Sequence, residues 1–255
     1  LLDKKTTALI ISVLLLITLT SCGTSDELSE EKLKMNQYLL ERYGQEFVVN
    51  DINYTYDYFG SPKMIKAIAH SKEYPELKFE IKKYADGRIW KEAGMDVYYN
   101  ESFIWSLWSK QAETKMDGLM SKSYFRTIIS FPPHDIYPNI YGKAMDLTNA
   151  KKMFKNKISL DIYCAFFDDR KEDSLDKILS IINAYKDYDY HKISLVVAYF
   201  DGHYQKSIEK NFNKYMNSMD PDYKKTITKE YRINDIKNVN SLEQLEEYAF
   251  RRQGL

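Results

Sequence analysis

Ala8 to Leu19 forms an uninterrupted run, A-L-I-I-S-V-L-L-L-I-T-L, without a single charge. Twelve residues rise about 18 Å as a helix, too short for a hydrocarbon core of about 30 Å. Lys4 and Lys5 precede the run, and the small residues Thr20-Ser21 followed by Cys22-Gly23 close it. A basic start, a short apolar stretch and small residues at its end make a secretory signal peptide. A buried core helix is the competing reading. It fits poorly, because a helix at the edge of a domain needs a polar face and this run has none.

Leu19-Thr20-Ser21-Cys22 resembles the lipobox of bacterial lipoproteins. That resemblance implies that a diacylglyceryl group is placed on the Cys22 thiol, that residues 1–21 are removed, and that Cys22 becomes the first mature residue. It also implies a place on the outer face of the cytoplasmic membrane, with the lipid bilayer as a partner. The physics agrees, since two acyl chains anchor stably where one does not. Tyr38 to Phe47, Y-L-L-E-R-Y-G-Q-E-F, is similar to the start of small lipoproteins of low-GC Gram-positive bacteria, and W-S-L-W-S-K-Q-A-E-T-K-M from Trp105 to Met116 is similar to a helix that follows in them. This resemblance implies an α+β domain and a location, and carries no activity with it.

Lys plus Arg and Asp plus Glu both total 37, so the formal charge is zero, which argues against a nucleic-acid partner. With 44% apolar and 29% charged residues the remainder reads as packed and globular. Residues 22–30 are polar and acidic and read as a lipidated tether. From residue 31 to 123 the pattern is helix, strands, helix. A helix near Glu30–Tyr43 carries Leu33, Tyr38 and Leu39, with Gly44 as its stop. Alternation of Leu77, Phe79 and Ile81 marks a strand, Asp86-Gly87 a hairpin turn, and Arg88–Tyr99 a segment that pairs back. Ile104, Leu107, Trp108, Ala112 and Met116 trace the inner face of a long helix from Glu101 to Met120.

Residues 124 to 255 change rhythm, alternating strands (124–131, 158–167, 193–200, 223–233) with helices (148–154, 174–188, 204–219, 242–250). The expected fold class is therefore α+β: an N-terminal helix, antiparallel sheet and long helix, then a smaller α/β-type unit. The junction is expected near residues 121–127.

Chemistry is sparse. Cys22 is consumed by lipid, which leaves Cys164 in an apolar strand, expected to be buried and unreactive. His70, His134, His191 and His203 form no short metal spacing, and no nucleotide or hydrolase motif occurs, so no cofactor or metal is expected. Asp168 and Asp169 follow one apolar strand, and Asp201 and His203 another. Parallel pairing of those strands would place the four on one edge, as a candidate ligand site. Tyr residues number 22 and alternate at Tyr54, Tyr56, Tyr58 and at Tyr188, Tyr190, either as platforms for a peptide or glycan or as half-buried sheet cover. The sequence thus reads as an envelope lipoprotein with a binding or accessory role and no catalysis. The alternatives are an envelope hydrolase using carboxylates near Asp168 and Asp201, or a small solute-binding lipoprotein.

Overall fold

The computed structural model describes residues 25–92, 95–132, 136, 145–170, 174–216 and 225–250. The architecture is mixed α+β, with a four-stranded sheet, a five-stranded sheet and a two-stranded ribbon. The described residues form two compact units, one ending at Phe103 and one made of Ile104–Ile136 with Met145 onward. The change of unit thus comes earlier than the change of sequence rhythm near residue 124.

The first unit opens with helix α1, residues 25–43. It includes residues 25–30, which composition had assigned to the tether. Acidic Asp26 and Glu27 favour a helix N-terminus through its partial positive charge, and Lys34 pairs with Glu30 one turn back at 2.7 Å. Met35, Leu39 and Tyr43, four residues apart, are its buried stripe, whereas Leu33, expected inside, is exposed. Gly44, at φ +67°, stops the helix, and its N–H donates to the Leu40 carbonyl at 2.8 Å. Strands β1 (Phe47–Thr55), β2 (Met64–Ser71), β3 (Phe79–Tyr84) and β6 (Asn100–Glu101) follow in an all-antiparallel sheet of that order. A bulge between Asn50 and Asn53 places Asp51 at φ +50°, a left-handed conformation that Asp tolerates. Between β3 and β6, β4 (Trp90–Glu92) and β5 (Met95–Val97) pair with each other. The strand that returns to β3 is β6, just beyond the expected 88–99, while 90–92 and 95–97 pair with each other.

Tyr43, Phe47, Phe79 and Phe103 interlock at the centre, with ring centroids 4.9 to 5.9 Å apart. Two carboxylates are buried in this unit. Glu31 accepts from Tyr99 Oη at 2.6 Å and Lys83 Nζ at 2.8 Å. Glu101 accepts from the Phe103 N–H at 2.6 Å and from the Tyr43 hydroxyl, and pairs with Arg42 Nε at 3.3 Å.

The second unit takes nearly all of helix α2 (Phe103–Glu113). The expected continuation to Met120 becomes a 3-10 turn at Thr114–Met116, and Gly118 at φ +82° turns the chain out of the helix. Strands β7 (Phe125–Ser130), β8 (Ser159–Phe167), β9 (Ile193–Phe200), β10 (Ile227–Ile233) and β11 (Ala249–Phe250) form one sheet in the order β11-β10-β9-β8-β7. β8 and β9 run parallel; the other pairs are antiparallel. Ser109 of α2 ties down edge strand β7, its carbonyl accepting from Thr127 Oγ1 at 2.6 Å and its hydroxyl from the Ile129 N–H at 3.0 Å. Helices α3 (Leu147–Met153), α4 (Leu175–Tyr185), α5 (Gln205–Lys210), α6 (Phe212–Tyr215) and α7 (Leu242–Glu247) complete the unit. The single helix expected over 204–219 is broken at Asn211, which leaves helical geometry and accepts from the Lys214 N–H. The C-terminal halves of β8 and β9 are buried on both faces, and Cys164 lies there as a buried cysteine outside any disulfide.

Candidate functional site

The parallel pairing of β8 and β9 brings the two acidic strand ends side by side. Asp168 N–H donates to the Phe200 carbonyl at 3.0 Å, continuing the ladder into the loops. A Cβ on Gly202 would meet the Asp169 carboxylate, so the two loops touch there and a larger residue would have to push that exposed side chain aside. The four residues singled out by sequence are therefore neighbours, and all are exposed. Their chemistry is partly spent. Asp201 Oδ1 accepts from the His203 N–H at 3.0 Å and contacts His203 Nδ1 at 2.6 Å. The hydrogen bond from the His203 backbone, then that from its ring, lowers the Asp201 pKa. This is a capping arrangement for the turn after β9. Among the described residues, no three His, Cys, Asp or Glu side chains converge as a metal site.

A cleft of about 390 Å³ lies elsewhere in the second unit, lined by α2 and the residues after it, the start of α3, and the connection from α4 to β9. The Tyr185 hydroxyl donates to the Ala112 carbonyl at 2.8 Å, joining α4 to α2. Gln111 Oε1 accepts from the Leu147 N–H at 2.6 Å, joining α2 to α3. Tyr188 and Tyr190 follow on the connection, 6.5 Å apart between centroids. Two ammonium groups share the Tyr188 ring: Lys115 Nζ at 5.0 Å from its centroid and Lys151 Nζ at 4.6 Å. Lys151 also lies 4.7 Å from the Tyr190 centroid. Such contacts favour a cation without neutralising it.

The electrostatics are unbalanced. Burial lowers the Lys151 pKa; Asp189 opposes that and Lys115 adds to it. Asp146, the carboxylate in the lining, is held by Asn149, through its N–H at 2.9 Å and its side-chain amide at 2.7 Å. Among the described residues, neither Lys115 nor Lys151 has a carboxylate within ion-pair distance. The cleft offers aromatic faces and two like charges, one of which is partly balanced by Asp189. Sequence reading singled out only Tyr188 and Tyr190, by their alternation. Lys115 and Lys151 lie on different elements 36 positions apart, with no local signal that they meet.

The first unit carries a groove of about 560 Å³ along α1, where exposed Leu33 and Leu40 flank Gln37 above Phe47. The Glu46–Lys72 ion pair, at 2.6 Å, closes one side of it.

Cys22, with Leu19, Thr20 and Ser21, and His134 lie outside the described residues. Among the described residues no helix is long and apolar enough to cross a membrane. Neither a known protein family nor a curated protein matches the chain. Among solved structures, the chain is similar to a DUF5037 family protein from Ruminococcus gnavus, with 18% identity and a TM-score of 0.46, over 85% of this chain and 98% of that one.

Proposed function

We propose that this chain is a lipid-anchored protein of the cell envelope that works by binding, and that the tyrosine–lysine cleft of its second unit receives a small anionic ligand. The anchoring rests on the order of basic start, apolar run and Leu19-Thr20-Ser21-Cys22. The binding role is carried by one observation: two ammonium groups over the face of Tyr188, neither with a carboxylate of the described residues within ion-pair distance, although Asp189 acts on Lys151 from farther away. An anion placed between them relieves their repulsion and the desolvation at Lys151, while the rings of Tyr188 and Tyr190 offer a surface for a planar or sugar-like body. Hydrolysis by the strand-end carboxylates has weaker support, because Asp201 is engaged by His203.

Two measurements test the reading. Intact mass of the protein taken from membranes should show a chain beginning at Cys22 with a diacylglyceryl addition; cleavage elsewhere, or no lipid, refutes the anchor. Calorimetric titration with inorganic phosphate and with benzoate should give saturable binding that K115M/K151M abolishes. Equal heats for wild type and the double variant refute the cleft.

A further inference from the structure

We infer that the turn between β1 and β2 is a membrane-docking tip, in which Tyr56, Tyr58 and Phe59 enter the interfacial layer of a lipid bilayer. Phe59 is 105% exposed, Tyr58 72% and Tyr56 60%, the densest group of uncovered aromatic rings among the described residues. Three such rings within four positions are costly in water, and a folded chain keeps such a patch where something covers it.

The turn is built to hold the rings outward. Ser61 is buried; its N–H donates to the Tyr58 carbonyl at 3.0 Å and its hydroxyl accepts from the Tyr58 N–H at 3.2 Å. Gly60, at φ +85°, makes a reversal that a side chain would strain. Phe59 therefore projects from a fixed loop.

Charge decides what can cover it. Asp57, the acid among these residues, lies 3.4 Å from Lys82 Nζ, so the tip presents no unpaired carboxylate to an apolar phase. Tyr rings with a wet hydroxyl suit the headgroup level, and Phe suits the layer beneath. Position agrees as well. Glu27, in the first turn of α1, hydrogen-bonds the Tyr54 phenol at the end of β1 and raises its pKa. The start of α1 and the aromatic turn thus lie at one end of the first unit. The inference rests in part on the proposed anchor: Cys22 is three residues before Ser25, about 10 Å of chain at full stretch, so a lipid there would bring the tip to the bilayer. Charges of both signs meet at that end, Glu30 with Lys34, Asp57 with Lys82, and Lys63 over the Tyr54 ring, so the contact works by aromatic insertion and is insensitive to salt.

The test places a reporter in the tip. Full-length protein carrying Phe59→Trp is purified from membranes, its lipid checked by intact mass, and reconstituted into phosphatidylcholine vesicles with and without brominated chains. The added tryptophan should emit blue-shifted light that brominated lipid quenches, at low and at high salt, and Tyr56→Ser with Tyr58→Ser should abolish most of that quenching. Emission that stays water-like in lipid-bearing protein overturns the tip while leaving the anchor intact. Should the mass show no lipid, the anchor reading fails, and the same vesicles mixed with the processed chain decide the tip: quenching upholds it and none overturns it. Insensitivity to brominated lipid with a shift on adding soluble glycan or peptide also overturns it, in favour of a polar ligand on the same rings.

Discussion

Replacing Glu101 by Ala should be the most damaging single substitution in the first unit. Its side chain is 2% exposed and gathers three donors: the Phe103 N–H, the Tyr43 hydroxyl and Arg42 Nε. Truncation leaves the Phe103 N–H and Tyr43 hydroxyl without that acceptor, each worth about 1–3 kcal/mol when buried and unmet. Arg42 keeps a partner in the Tyr38 hydroxyl at 2.9 Å and some access to water, so its loss is partial. The sum falls at about 3–5 kcal/mol, the range for breaking a buried ion pair from one side. Glu101→Gln keeps one acceptor, for the Phe103 N–H, and loses the charge and the second oxygen that faces Tyr43 and Arg42, where the Tyr43 hydroxyl can instead accept from the amide, at about 1–3 kcal/mol. Hydrogen exchange read by mass spectrometry assigns the effect to peptides of β1, β2 and β3, apart from those of β8 and β9. At about 4–8 °C per kcal/mol for a domain of this size, the Ala variant should lower the first unit's melting by at least about 12 °C. Equal effects of Ala and Gln, or a loss in β8 and β9 instead, would refute the reasoning.

Three further outcomes follow from other groups. The Tyr231 hydroxyl is buried with no hydrogen-bond partner among the described residues, so Tyr231→Phe should leave stability unchanged or raise it by up to about 1 kcal/mol in urea unfolding; a clear loss would mean that the hydroxyl has a partner, such as a bound water. Cys164 should react with a thiol reagent only as fast as the protein unfolds, and fast labelling without denaturant would contradict its place in β8. Lys151 has its pKa lowered chiefly by burial, so between that folded value and the ordinary lysine value the unfolded chain holds a proton the folded chain has shed. Stability therefore rises with pH through that window. Lys151→Met should raise the melting temperature at neutral pH, flatten the alkaline rise and abolish anion binding; unchanged melting would show that the ammonium is not desolvated.

Much of the fold was legible because periodicity reports burial. Phe79 and Ile81 alternate inward in β3, and Ile178 and Ile182 face inward along α4, as their spacing requires. The errors have local causes. Acidic, polar residues 25–30 look like a linker by composition, yet acids in a first turn also start a helix. A helix stripe does not say which unit it packs in, so the unit boundary at Phe103 was invisible, and Asn211 reads as a helical residue until its side chain caps α6. The strand-end residues could be placed once β8 and β9 were taken as parallel. The cleft could not, since Lys115 and Lys151 become neighbours only through the packing of α2 against α3 and α4.

The connection from α4 to β9 does two jobs at once. It presents Tyr188 and Tyr190 to the cleft, and it sets the start of the central parallel strand. The His191 N–H is bound to the Ile158 carbonyl at 2.8 Å, the Lys192 carbonyl to the Leu160 N–H at 2.9 Å, and the Tyr190 carbonyl to Lys237 Nζ at 2.5 Å. Adding or deleting one residue there would slip β9 against β8 and turn its inner side chains outward. Most surface loops diversify by changing length, but this one is length-locked. Relatives with this architecture should alter what the cleft accepts by exchanging side chains at positions 188 and 190, and should carry their insertions elsewhere.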